Sequence, residues 1–229
     1  MRLLQAGRTQ IPAVSLTALL ALTLTGCTGQ TINNAGRANE SALEPASSAM
    51  TSDCAIPAGD QSTPNGPLGD KTITITPELS VPDVDGIGPG IRSGITRCFA
   101  HSPTGSVVAA ANYLKWMSSN ERLPEVTKTL LAAGSDRDRM VADVEAHWDR
   151  TTTTAVTIEG YKIEIRSTDE VLVTLAFTLS ADAAGRMTAW PLVMVWEDGD
   201  WKVKPPSNGS WGQEAIDSPA SEGMTTWKI

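Results

Sequence analysis

Three cysteines and two histidines are the residues of this 229-residue chain with the most chemistry to offer. Cys98-Phe99-Ala100-His101 sets a thiol and an imidazole at a spacing that metal sites use. His101 and His147 are the only histidines, however, and no CxxC or HExxH completes a ligand set, so neither a metal nor another cofactor is expected. Acid–base chemistry would need a histidine beside a carboxylate, and His101 or His147 with Asp143 or Asp149 are the combinations at hand. Arg137, Asp138, Arg139, Asp143 and Glu145 read instead as the solvated face of a helix. The chain has no G-x-S-x-G, no P-loop and no Ser-His-Asp grammar, so no catalytic residue is assigned and an enzyme is not expected.

Cys27 invites a different chemistry. Arg2 and Arg8 give the amino terminus a positive charge, with no acidic residue before the cysteine. An apolar run from Ile11 to Leu24 follows, and Leu24-Thr25-Gly26-Cys27 closes it, which resembles the lipobox of bacterial lipoproteins. The run is short for a membrane span, which needs about 20 residues. The expectation is a signal peptide over residues 1–26, cleavage before Cys27, and acylation of that cysteine. The protein would then sit on the extracytoplasmic face of the cell membrane, held by its lipid.

Removing residues 1–26 takes away two of the 18 basic residues and none of the 26 acidic ones, leaving a net charge of −10. Nucleic acid is therefore not an expected partner, because neutralising phosphate charge dominates such binding. With Cys27 acylated, Cys54 and Cys98 remain, an even number in an oxidising compartment, and one disulfide between them is the simplest outcome. Closing a loop of that size stabilises by about 4 kcal/mol, less any strain.

All eleven aromatic residues lie between Phe99 and Trp227, which locates the core in the second half. Residues 27–70 are rich in Ser, Thr, Ala, Asn, Gly and Pro and read as a flexible tether with an r.m.s. reach of about 35 Å. A Cys54–Cys98 bridge would pin its last part to the domain that follows over residues 71–229. Lys71–Thr76 alternates with period two and reads as a strand. Asp85-Gly-Ile-Gly-Pro-Gly90 reads as a turn-rich connection, not a phosphate loop, since no helix opens after it.

Ser102 is placed to cap a helix with Pro103 at its first position, and Val107, Ala110, Ala111, Leu114 and Met117 recur on one face. A second helix follows Pro124, with Val126, Leu130 and Ala133 inward and Gly134 ending it. Ser135 caps a third, in which Met140, Val144, His147 and Trp148 share a stripe, making His147 a packed residue at the edge of the core.

After Arg150 the period becomes two. Val156 and Ile158 alternate, then Tyr161, Ile163 and Ile165 continue in opposite parity, so a β-bulge is expected at Glu159-Gly160. Val171 to Leu179 is the cleanest strand. Met187 to Trp196 is another, with Pro191 suggesting an edge position or an irregularity. Glu197-Asp-Gly-Asp200 is a hairpin loop returning through Trp201 to Lys204. Trp211 and Trp227 are positioned to tack the polar tail back.

Helices followed by an antiparallel sheet make an α+β pattern. The hairpin Trp196-Glu-Asp-Gly-Asp-Trp-Lys-Val203 looks like the end of an NTF2-like domain, in which helices pack into the concave face of a curved sheet. Together with Phe99-Ala-His-Ser-Pro-Thr-Gly-Ser-Val-Val-Ala-Ala-Ala-Asn112 it resembles a family of exported actinobacterial proteins of unknown function associated with mobile elements. The resemblance implies an NTF2-like cone of three helices on a curved antiparallel sheet. Similar domains in the scaffold subunits of conjugative secretion systems bind protein partners and catalyse nothing, although a transmembrane helix usually anchors them where this chain has a lipobox. The expected function is thus a partner-binding module whose partner is another envelope protein. A small-ligand-binding cone is the alternative, with Tyr113, Trp116, Trp148 and Trp190 as its lining or simply as core.

Overall fold

Helix α1 (Pro103–Ser119) begins at Ser102, whose hydroxyl accepts from Gly105 N at 3.1 Å, with Pro103 in the first turn as expected. It ends at Asn120, in left-handed conformation with φ 56°. This is the organising element of the computed structural model, which describes residues 54–150 and 154–229. The expected signal peptide, Cys27 and the expected tether as far as residue 53 lie outside the described residues.

The expected single apolar face of α1 is too narrow a reading. Val107, Ala110, Ala111 and Leu114 are buried, but so are Val108, Ala109, Asn112, Tyr113 and Trp116. A helix apolar or small on every side can be enclosed on every side. One side packs on a six-stranded open antiparallel sheet, the other on a two-stranded sheet of β1 (Thr72–Thr76) and β2 (Leu79–Pro82). Among the buried polar residues of α1, Asn112 bonds reciprocally with Thr96: its amide donates to Thr96 O at 2.8 Å, and its Oδ1 accepts from Thr96 Oγ1 at 2.5 Å. Gly105 is required where α1 leaves the preceding turn, because a Cβ there would lie 1.9 Å from Ala100 O.

The large sheet is built from β3 (Val156–Ile165), β4 (Glu170–Leu179), β5 (Met187–Glu197), β6 (Asp200–Val203), β7 (Glu214–Ile216) and β8 (Thr225–Thr226). Its order is β6-β5-β4-β3-β8, with β7 also paired to β5. The β3–β4 register shifts between Ile158 and Gly160, the bulge that the parity change demands. Gly160 admits the returning tail closely: a Cβ there would sit 2.8 Å from Thr225 O. The β5–β6 hairpin turns at Asp198-Gly199, both in left-handed conformation at 54° and 77°, the pairing a tight hairpin favours.

Strand β5 is not an edge strand. β4 lies along one side of it, while on the other β7 covers Met187–Ala189 and β6 covers Met194–Glu197. Pro191 falls in the gap between those two partners, where a missing N–H removes no ladder bond on that side. The register with β4 runs unbroken through Pro191, so the proline holds a local edge position within a strand that is paired on both sides elsewhere.

Helices α2 (Leu123–Leu130) and α3 (Ser135–His147) complete the layer. Val126 and Leu130 are buried, but α2 stops before Ala133, which is exposed. α3 starts from Gly134, and Ser135 supplies no capping bond. The helix buries no residue fully. His147 in particular is 75% exposed and not packed at the core edge, because the stripe it was assigned to is only half-covered by α2.

Residues 54–70 form neither helix nor strand, yet they are tied to the domain well past Cys54. Gln61 Nε2 donates to His101 O at 2.8 Å, the Tyr161 hydroxyl to Gly66 O at 2.7 Å, and Trp227 Nε1 to Gly69 O at 2.7 Å. Trp227 also packs edge-on to Tyr161, so the tail is tacked back as the tryptophans suggested.

Candidate functional site

Two of the four aromatic residues singled out as a lining come together. Tyr113, from α1, and Trp190, from β5, have ring centroids 6.1 Å apart. Phe177 of β4 lies 6.3 Å from Trp190. Trp211, from the loop between β6 and β7, lies edge-on to Trp190 at 5.5 Å and 6.2 Å from Tyr113. Tyr113 and Trp190 are buried, while Trp211 is half-buried and forms the cover.

The polar ends of the inner pair are unusual. The Tyr113 hydroxyl and Trp190 Nε1 are buried and find no hydrogen-bond partner among the described residues. Burial pushes the Tyr113 hydroxyl pKa well above its ordinary value, so it stays neutral. An unpaired buried donor costs about 1–3 kcal/mol, and tyrosine and tryptophan normally find a partner when buried.

Trp116 and Trp148 do not join this cluster. Trp116 donates from Nε1 to Thr96 Oγ1 at 2.7 Å and belongs to the polar triad behind α1. Trp148 is half-buried, donates to Asn120 O at 2.8 Å, and carries the Arg150 guanidinium 5.0 Å above its ring.

The histidines find carboxylates, but at the surface. His101 Nε2 lies 2.8 Å from Asp169 Oδ1 and 3.1 Å from Thr168 O, and its ring stacks on Trp196 at 4.0 Å. Asp169 is 61% exposed. His147 lies 3.2 Å from Asp143, with both side chains exposed on α3. Among the described residues no three His, Cys, Asp or Glu side chains gather as a metal would require. Two shallow grooves lie among the described residues, one of about 220 Å³ bordering Pro191, Gly212 and Glu214, and one of about 120 Å³ bordering the disulfide.

Cys54 and Cys98 form that disulfide, with Cα atoms 5.3 Å apart. Cys98 is held from its other side by Asp200, buried in the β5–β6 hairpin. Asp200 Oδ2 accepts from Cys98 N at 2.8 Å, and Oδ1 from Phe99 N and Trp201 N, both at 2.9 Å. Burial raises the Asp200 pKa, against the downward pull of these three N–H donors and of Lys202. Trp201 Nε1 donates to Ala100 O at 2.9 Å. The two sequence stretches that carried the resemblance, Phe99–Asn112 and Trp196–Val203, are therefore bonded to each other.

Sequence reasoning missed Asp169, Asp200 and Phe177. Asp200 had a signal, since it follows a turn and directly precedes Trp201 at the start of a strand. Asp169 had none, because its partner is 68 residues away. No curated protein and no solved structure matches the chain. The family model for a domain of unknown function, DUF8175, matches residues 34–226, so the chain belongs to that family.

Proposed function

We propose that this chain is a lipid-anchored envelope protein whose NTF2-like α+β domain works without catalysis, holding another envelope protein near the membrane. The observation that carries this reading is the filled space between α1 and the sheet. Val107, Leu114, Ile158, Val173, Leu175 and Leu192 meet there at almost no exposure, where an enzyme of this layout would need an open cone. The His101–Asp169 pair supports it too. It lies among the hairpin ends at the surface, with the Asp169 side chain 61% exposed. That surface offers the half-buried Trp196, flanked by the acidic turns at Asp169 and Asp198, and tryptophan is a favoured interface anchor. The lipobox at Cys27 and the net charge of −10 after cleavage support membrane attachment through lipid alone.

The test is photo-crosslinking in the native envelope from Ser167 and Asp198, exposed positions on the two hairpins around His101. One protein trapped from both positions is the expected result, and Cys27→Ser should move the chain out of the membrane fraction. Crosslinks no different from background would overturn the partner reading, and unchanged partitioning would overturn the anchor. Ligand capture remains a second reading for one reason, the unpartnered Tyr113 hydroxyl and Trp190 N–H.

A further inference from the structure

We propose that the Tyr113–Trp190–Trp211 cluster is a closed binding site for a small, flat, uncharged molecule with a hydrogen-bond acceptor, which enters by displacing the Trp211 indole. The inference goes beyond the partner-binding reading and does not depend on it. Its first support is the pair of buried polar groups without partners, which belong to two adjoining rings of one cluster. Elsewhere in the core such groups are satisfied: Trp116, Trp201 and Trp227 each place their N–H on an oxygen at 2.7–2.9 Å. Both orphans can donate, so the complementary group is an acceptor such as a carbonyl or ether oxygen.

The second support is the cover. Trp211 sits on a loop between Lys204 and Glu214 that contains Pro205, Pro206, Gly209 and Gly212. Among the described residues the loop's hydrogen bonds are local, Gly209 N to Pro206 O and Ser210 N to Asn208 Oδ1, with one from Arg139 to Ser207 O. Pro205 is buried and holds one end, while residues 207–210 are exposed. Moving the Trp211 side chain breaks ring contacts and no hydrogen bond of the sheet. The space it vacates is one indole in size, which sets the size of the ligand.

The third support is the charge of the walls. Phe177, Tyr113 and Trp190 carry no charge, so an ionic ligand would lose its hydration without compensation. A neutral bicyclic molecule meets the stacking, the acceptor and the size requirements together.

Coumarin is a suitable probe, being flat, neutral and bicyclic with a lactone carbonyl. Naphthalene has the same shape without the acceptor. Titrated into the ¹⁵N-labelled full chain, coumarin should shift the Trp190 indole N–H downfield and saturate. Trp211→Ala should tighten coumarin binding about tenfold by removing the competing ring. Tyr113→Phe should weaken coumarin about fivefold and leave naphthalene unchanged. The proposal fails if coumarin and naphthalene bind alike, or if neither moves the Trp190 signal in wild type and Trp211→Ala. It also fails if that N–H already contacts a long-lived water, since the polar groups would then be satisfied without a ligand.

Discussion

The corner where residues 98–101 meet the β5–β6 hairpin and the ring cluster under Trp211 are built from similar residues and treat polarity in opposite ways. At the corner a buried carboxylate accepts three backbone N–H groups, an indole N–H finds a carbonyl, and a disulfide locks the segment. In the cluster a hydroxyl and an indole N–H are buried with no partner. A fully satisfied buried network rigidifies and specifies a fold, whereas a half-satisfied one spends stability that function can use. The corner is therefore the more firmly specified of the two regions, and the cluster is the one that the proposed ligand would open.

Breaking the corner should cost most. Gly105→Ala drives a methyl group into Ala100 O and should destabilise by about 4 kcal/mol or more, read as loss of the cooperative urea transition. Replacing both Cys54 and Cys98 by Ser should cost up to about 4 kcal/mol through the 44-residue separation they close. A denaturation midpoint equal to wild type would show that the strap over residues 54–70 holds without its bridge. Asp200→Ala leaves the Cys98 and Phe99 N–H groups buried and unpaired, and about 2–4 kcal/mol should be lost, with Asp200→Asn losing less. Trp211→Ala, which opens the other region, should cost less than any of these in the same assay.

Part of this contrast is legible in the sequence. The cap and start of α1, the bulge at Glu159-Gly160 and the β5–β6 hairpin follow from local rules, because cap, turn and parity are written in adjacent residues, while the disulfide follows from the count of cysteines. The exposure of His147 was not legible, since a helical stripe says which residues share a face but not whether a neighbour covers it. Pro191 marked a local edge position, but the split partner of β5 depends on a tail more than 20 residues away. Tyr113 and Trp190 were recognisable as candidates for a lining or a core. Their missing hydrogen bonds were not, because satisfaction is a property of three-dimensional neighbours.

The smallest expected effect concerns a third buried polar group. Lys115 is 8% exposed and donates from Nζ to Val156 O at 2.6 Å and Ile229 O at 3.1 Å. Burial lowers its pKa to about 8, from 10.5. Between those values the unfolded chain holds a proton that the folded one has released, so stability rises with pH across that window. Its contribution is a rise of about 1 kcal/mol from pH 8 to pH 9, absent in Lys115→Met. Above pH 10 the buried tyrosines, whose folded pKa values are raised, act in the opposite sense.

Indole N–H exchange of the seven tryptophans, followed in one spectrum, tests the contrast most directly. Trp116, Trp201 and Trp227 should exchange only through global unfolding. Trp190, also buried but unbonded behind the Trp211 loop, should exchange at least about a hundredfold faster through local opening. Protection of Trp190 equal to that of Trp201 would contradict the account, because the cluster would then be as fixed as the corner.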